Sequence, residues 1–110
     1  MHPEIDDILN NLDLEYPVPS PVVLNNAQRI LNYMDDIYTE RTGKFEHTPA
    51  ESLYICWKVE GLEFHIECLK NGNILYTFRK GVLGKSYGTE TIDEFMPTLQ
   101  NYLLAGIYYR

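Results

Sequence analysis

The stretch that decides the fold runs from Leu53 to Arg79 and reads LYICWKVEGLEFHIECLKNGNILYTFR. Apolar and polar residues alternate along three runs within it, which is the pattern of half-buried β-strands. β-Branched and aromatic residues are frequent in all three runs, as a pleated sheet surface favours. The stretch therefore predicts three consecutive strands of an antiparallel meander.

Two tight turns join these runs and set their register. Glu60-Gly61 is short enough for a two-residue hairpin turn, with positive φ at Gly61. A two-residue turn at Asn71-Gly72 would mix the faces of the next pair, because a slip of one residue exchanges the two faces of a strand. A three-residue loop over Lys70–Gly72, with Gly72 left-handed, keeps the faces apart. This register predicts one apolar face made of Leu53, Ile55, Trp57, Val59, Leu62, Phe64, Ile66, Cys68, Ile74, Tyr76 and Phe78.

The two faces of the predicted sheet need different surroundings. The apolar face has to be covered, since each large apolar side chain contributes about 1.5–3 kcal/mol when it is buried. The opposite face is mixed, and it is either hydrated or an interface. Its members are Tyr54, Cys56, Lys58, Glu63, His65, Glu67, Leu75, Thr77 and Arg79.

The chain before the strands predicts two helices that cover the apolar face. Ser20 is a favoured N-cap residue and Pro21 suits the first helical position, so a helix is expected from Pro21 to about Arg41. Gly43 is a natural stop for it. Apolar residues at helical spacing also predict a short helix over 2–12, followed by a proline-rich connector.

The chain after the strands predicts one more helix. Thr91 and Glu94 have the T-x-x-E spacing of a capping box, which marks a helix start. Pro97 lies inside this helix and predicts a kink or a split first turn. Gly106 is a candidate C-terminal stop.

These elements predict an α+β, two-layer domain with N-terminal helices, a three- to four-stranded antiparallel β-meander and a C-terminal helix. A length of 110 residues favours a single domain over 1–110. Residues 1–20 form its acidic helix and proline-rich connector, and residues 21–110 form its core. The segment 44–50 is expected to be a connector or a short edge strand, and 81–88 a turn with at most a weak fourth strand.

Composition narrows the classes of partner. Nine Lys and Arg against sixteen Asp and Glu give a net charge of −7, which disfavours direct binding to nucleic acid or an anionic membrane. No apolar run approaches the roughly 20 residues of a transmembrane helix, and the acidic N-terminus is unlike a signal peptide. Cys56 and Cys68 fall on opposite faces of adjacent strands, so reduced thiols and a cytoplasmic location are expected.

Three patterns suggest chemistry, and each has a simpler structural interpretation. Cys56 and His65 are cross-strand neighbours in the predicted register, but no orienting third group or oxyanion feature accompanies them. Glu63, His65 and Glu67 are possible metal ligands, yet alternate side chains stand about 6.5 Å apart on a strand, and basic cross-strand neighbours explain these charges. The segment 81–86 lacks the spacing of a phosphate loop. We therefore predict no enzyme, no metal site and no cofactor.

A connector and a tryptophan-bearing meander give the chain a family resemblance. The segment 16–27 reads YPVPSPVVLNNA and precedes the strand that holds Trp57. Together they resemble small bacterial proteins of uncharacterised function that have a P-x-P-S connector, an amphipathic helix and strands ending in W-x-x-x-G and N-G or D-G turns. The resemblance covers residues 16–79. It implies a bacterial or phage accessory protein and no assigned chemistry.

The functional prediction depends on acidity and on a surplus of tyrosine. Nine tyrosines exceed what one small core can hold. The surplus either serves a protein interface, which tyrosine suits, or lies half-exposed at the sheet edge. Carboxylates spaced along helices can imitate a phosphate backbone and occupy a basic nucleic-acid site, although a charge run is more often a solvated face. The predicted partner-binding residues are Glu4, Asp6, Asp7, Asp13, Glu15, Tyr54, Glu63, His65 and Glu67.

We therefore predict a small acidic module that binds and occludes another protein, of the antitoxin, immunity or inhibitor type. A specific version is an anti-CRISPR or other anti-defence inhibitor that imitates nucleic acid. Two alternatives stay open. One is a small-molecule-binding domain or small enzyme with a pocket between sheet and helices, and the other is a homodimeric structural subunit built on the open sheet face.

Overall fold

The computed structural model describes residues 3–10, 17–37, 42–59, 61–80 and 84–108, and shows an antiparallel sheet with helices packed on one face. Its strands are β1 (Thr42–His47), β2 (Leu53–Val59), β3 (Leu62–Cys68), β4 (Asn73–Lys80) and β5 (Gly84–Thr91). Its helices are α1 (Pro3–Asn10), α2 (Pro21–Ile37) and α3 (Ile92–Tyr108). The strands lie side by side in chain order. The predicted α+β class is confirmed, with five strands instead of three to four.

The register of the central meander is the predicted one. Trp57 pairs with Phe64, and Phe64 pairs in turn with Phe78. Both turn glycines have the expected positive φ, 86° at Gly61 and 90° at Gly72. The three-residue loop therefore keeps the apolar faces of β3 and β4 together, as burial requires.

The core lies between this apolar face and the helices. Ten of the eleven residues predicted for the face are buried, and the side chain of Val59 lies outside the description. Aromatic rings occupy its centre. The ring centroids of Phe64 and Phe78 are 5.3 Å apart in an edge-to-face arrangement, which is a geometry that aromatic pairs favour. The helices contribute Ile5, Val23, Ala27, Ile30, Leu31, Met34, Phe95, Leu99 and Leu103.

The edge strand β5 is longer than predicted because its glycine is used for packing. Gly88 pairs with Tyr76, and a Cβ at Gly88 would lie 2.9 Å from the Tyr76 hydroxyl oxygen. The ring of Tyr76 therefore rests against bare backbone. Its hydroxyl bonds to Glu90, whose carboxylate also accepts a 2.9 Å bond from Thr98 on α3. This network ties β4, β5 and α3 together. Burial and this carboxylate raise the pKa of Tyr76 to about 12.

The start of α3 is the predicted capping box. Thr91 N–H donates to Glu94 Oε1 at 3.0 Å, and Glu94 N–H donates to Thr91 Oγ1 at 3.3 Å. The helix then continues through Pro97 and past Gly106 to Tyr108. The prediction of Gly106 as the stop is therefore wrong. Leu103 is buried near this end of the helix, and such anchoring offsets the low helix propensity of glycine.

The ends of α2 and the connector that follows it show two further differences. Ser20 precedes the helix as predicted, but its hydroxyl makes no hydrogen bond among the described residues. Gly43 lies in β1, opposite Trp57, and is not a helix stop. A contact that the sequence did not indicate fixes the helix to the β3–β4 loop, where Asn26 Nδ2 donates to Gly72 O at 3.2 Å. Asn26 is buried, so this bond satisfies a polar group that burial would otherwise penalise.

Candidate protein-binding surfaces

One face of the sheet points away from the helices, and we call it the outer sheet face. Its described members alternate with the core residues along each strand. They are Lys44, Glu46, Tyr54, Cys56, Lys58, Glu63, His65, Glu67, Leu75, Thr77, Arg79, Tyr87 and Thr89. Two large apolar residues on it are exposed, Leu75 at 44% and Tyr87 at 73%. The described helices all pack on the opposite face.

A network of hydrogen-bonded side chains crosses the middle of the outer sheet face. The hydroxyl of Tyr54 bonds to Nδ1 of His65, and Nε2 of His65 bonds to Oε1 of Glu63 at 2.6 Å. Tyr54 is a diagonal cross-strand neighbour of His65, while Glu63 stands two residues along the same strand. The bond to His65 holds the pKa of Glu63 below its ordinary value, and the nearby charges of Lys58 and Arg79 lower it further. Three predicted partner-binding residues are thus brought together.

Cys56 borders this hydrogen-bonded network, and the described residues place no free base against its thiol. It pairs with His65 in the predicted register, and its thiol lies beside the Tyr54 hydroxyl. Burial raises the pKa of Tyr54, and the neighbouring Cys56 raises it further. Both ring nitrogens of His65 are occupied, by Tyr54 and by Glu63. Neither nitrogen is therefore placed to take a proton from the thiol, as nucleophilic catalysis by a Cys–His pair requires.

The fourth predicted residue on this face turns towards a different partner. Glu67 Oε2 accepts a 2.6 Å hydrogen bond from the hydroxyl of Ser52, which is fully buried at the start of β2. Glu67 and Glu63 therefore do not converge on His65 as a ligand set. Within the described ranges, no group of three or more His, Cys, Asp or Glu side chains is placed to hold a metal ion. Apart from its position before a strand, nothing in the sequence pointed to Ser52.

The remaining predicted residues belong to the N-terminal segment. Glu4, Asp6 and Asp7 lie on α1, where Asp6 and Asp7 are exposed. Asp13 and Glu15 lie outside the described residues. Helix α1 docks through Ile5, which is fully buried in the core. Its carboxylates are therefore on the helical side of the domain, opposite Tyr54, His65 and their neighbours.

Charge is divided between the two layers of the domain. We call α1, α2 and α3 the helical layer, and its only basic residue is Arg29. Its seven acidic residues are Glu4, Asp6, Asp7, Asp35, Asp36, Asp93 and Glu94. The strands have five basic residues, Lys44, Lys58, Arg79, Lys80 and Lys85, and four acidic ones, Glu46, Glu63, Glu67 and Glu90. The acidity of the described chain is thus a property of the helical layer.

A groove of about 520 Å³ runs between α2 and α3 on this layer. Arg29 crosses it, with Nη1 2.9 Å from Oδ1 of Asp93. Tyr33 and Met96 line the groove between polar side chains. The alternative of a small-molecule domain placed a pocket between sheet and helices, whereas this groove lies between two helices. The sequence signal for it was Arg29, the isolated basic residue on an otherwise acidic helix.

Comparisons with protein-family models, curated proteins and solved structures found no match to this chain. Among the described residues, no helix combines the length and the apolar character needed to cross a membrane. The outer sheet face and the helical layer are therefore the features from which a function is inferred.

Proposed function

We propose that this chain is a protein-interaction module that binds and occludes another protein through the acidic surface of its helical layer. The observation that supports the proposal is the division of charge, with seven acidic residues and one basic residue on the three helices. The single guanidinium is itself paired, since Arg29 bonds to Asp93. This surface is consequently negative, although the strands beside it are close to neutral.

The charge of this surface defines the chemistry of its partner. A surface of one sign produces a potential that steers an oppositely charged partner and rejects others. Basic sites that bind nucleic acid are built to receive closely spaced negative charges. Exposed carboxylates such as Asp6, Asp7 and Asp36 offer such charges on a folded scaffold. The proposed partner is therefore a protein with a basic nucleic-acid-binding site, which this module blocks.

The proposed class includes antitoxins, immunity proteins and anti-defence inhibitors, among them anti-CRISPR proteins. The resemblance of residues 16–79 to small bacterial proteins of uncharacterised function, which implies a bacterial or phage accessory protein, fits this class. The role we assign is occlusion without chemistry, because the best-organised polar cluster, at His65, leaves no ring nitrogen for the adjacent thiol.

An affinity capture from a bacterial lysate tests the proposal, at salt concentrations of about 50 mM and about 500 mM. The expected result is one stoichiometric protein that is retained at low salt, released at high salt and unable to bind nucleic acid while in the complex. Salt-insensitive retention would contradict charge-driven binding. A captured protein that binds nucleic acid equally well in the complex would contradict occlusion.

Matched neutralising variants separate the two layers. Asp6→Asn with Asp7→Asn removes two charges from the helical layer, and Glu46→Gln with Glu67→Gln removes two from the outer sheet face. We expect the first pair to slow association with the captured protein about tenfold at low salt and the second to leave it unchanged. Equal effects of the two pairs would place the binding elsewhere.

A further inference from the structure

We infer that the outer sheet face is a two-fold symmetric interface, and that a second copy of this chain covers it. This inference goes beyond the proposed function, because it concerns the face opposite the acidic helical layer. The two surfaces differ in charge, and this difference assigns them to different partners. The charges of the outer sheet face are nearly balanced, with Lys44, Lys58, Arg79 and Lys85 against Glu46, Glu63 and Glu67. Two copies of this face therefore meet with little net repulsion.

The charges are also ordered along the strands in a way that fits a two-fold axis. Lys58 and Arg79 lie in one row across the sheet, on either side of Glu63. Glu46 and Glu67 lie in another row, on either side of Tyr54. Consider a two-fold axis that lies midway between two stacked sheets and is perpendicular to their strands. Rotation about this axis turns the outer sheet faces towards each other and reverses the strand direction in the second copy. The basic row of each copy then faces the acidic row of the other, as an isologous interface requires.

One pair of charges makes this geometry testable. Within one chain, Lys58 lies opposite Thr42 and Glu46 lies opposite Tyr54, four residues apart along the strands. At about 3.3 Å per residue the two charges are roughly 13 Å apart and do not pair. In the two-fold arrangement Lys58 faces the partner's Tyr54, beside the partner's Glu46. The pair therefore exists only between copies.

The area of the face is enough for a weak, reversible dimer. Five strands about 4.8 Å apart, each with about seven residues at 3.3 Å, span roughly 24 Å by 23 Å. A face of this size buries about 550 Å² per copy, or about 1,100 Å² in total, which exceeds the roughly 1,000 Å² expected of a biological interface.

The side chains of the face are also suited to association. Leu75 and Tyr87 supply exposed apolar area, at 44% and 73% exposure. Tyr54, His65 and Glu63 already hold one another through hydrogen bonds. Side chains that are fixed before binding lose less conformational entropy on association. The centre of the face is therefore preorganised, and its apolar residues lie on β4 and β5.

Sedimentation velocity of the full chain, from about 1 μM to about 500 μM, is the first test, since an interface at the small end of the biological size range is expected to dissociate within these concentrations. We expect a concentration-dependent monomer–dimer equilibrium. A protein that remains monomeric over the whole range would overturn the inference.

Charge reversal then tests the geometry. Lys58→Glu alone and Glu46→Lys alone should each raise the dimer dissociation constant about tenfold or more, while the double variant should restore it to within a few-fold. Asp36→Lys, on the helical layer, reverses a charge away from the interface and should leave dimerisation unchanged. This interface would be refuted if the two single variants left the dimer dissociation constant unchanged. It would also be refuted if the double variant dissociated as readily as the single variants.

Folding and target binding are checked separately from dimerisation. Circular dichroism and the fluorescence of Trp57, which is 3% exposed, report whether each variant is folded. The monomeric Lys58→Glu variant should still capture the partner of the helical layer. Loss of the dimer with retained capture supports both assignments, whereas a dimer without any captured protein refutes the proposed function alone.

Discussion

The hydroxyl of Tyr102 is the basis of our most direct stability prediction. Its ring packs 4.7 Å from the ring of Phe78 and 5.4 Å from that of Phe64, measured between centroids. The hydroxyl oxygen is buried and has no hydrogen-bond partner among the described residues. Burial also raises the pKa of this phenol, so the group is neutral at neutral pH. Tyr102→Phe removes the hydroxyl and keeps the ring, and we expect it to stabilise the protein.

The magnitude follows from the state of the hydroxyl before and after folding. In the unfolded chain the hydroxyl is hydrated, whereas in the folded chain it has lost water and gained no partner among the described residues. Such a loss costs about 1–3 kcal/mol in proteins. Removing one oxygen leaves a small void, which offsets part of the gain. We therefore expect Tyr102→Phe to raise the free energy of unfolding by about 1 kcal/mol, equivalent to roughly 4–8 °C in Tm for a domain near this size.

Urea denaturation followed through Trp57 fluorescence measures this change, because Trp57 is the single tryptophan and lies in the core. The midpoint should move to higher urea at constant m-value. Tyr76→Phe is the matched control with the opposite sign, since the Tyr76 hydroxyl bonds to Glu90 and its loss should cost about 1 kcal/mol. A destabilised Tyr102→Phe variant would show that the hydroxyl is satisfied and would refute the reasoning.

Three further predictions test other parts of the fold. Gly88→Ala should destabilise by about 1–3 kcal/mol in the same assay, because its Cβ would lie 2.9 Å from the Tyr76 hydroxyl oxygen; an unchanged midpoint would contradict this contact. Thr91→Ala should cost about 1 kcal/mol through loss of the helix cap, and Thr91→Ser should recover most of it; equal losses would argue against the cap. NMR titration should place the pKa of Glu63 below its ordinary value and show it rising in His65→Phe, since the bond to His65 is the main cause of the shift. Because its pKa is lowered in the folded state, Glu63 stabilises the fold at pH values above its unfolded-state pKa, and this stabilisation is lost as the pH falls through its folded-state pKa. His65→Phe should therefore weaken the dependence of stability on acidic pH. A Glu63 pKa that does not change in this variant would refute the bond.

The central meander was predictable because burial and turn length act together there. The alternation of apolar residues identified the core face, and the choice of a three-residue loop ending at Gly72 followed from the penalty of mixing faces. The capping box was predictable for a similar reason, since it depends only on Thr91 and on Glu94 three residues later. Each of these features is determined by neighbours in sequence or by the next strand.

The features that the sequence did not reveal depend on contacts between distant residues. β5 resembled a turn because of its glycines, yet Gly88 is there to admit the ring of Tyr76. The bonds from Asn26 to Gly72 and from Ser52 to Glu67 join positions that no periodicity links. Among the candidate site residues, the register predicted that Cys56 and His65 are neighbours. It did not predict that Tyr54 and Glu63 form hydrogen bonds to the two ring nitrogens of His65.

The division of charge between layers removes the main objection to self-association of a chain with a net charge of −7. Stacked sheets are about 10 Å apart, and a helix about 10 Å in diameter covers the far side of each. The two acidic helical layers are therefore roughly 30 Å apart in the inferred dimer. This distance is several times the Debye length of about 8 Å at physiological ionic strength, so their repulsion is screened. The dimer then presents two acidic surfaces that face away from each other. Such a pair binds a partner with repeated basic sites more tightly than a monomer does, provided that the sites can be reached together.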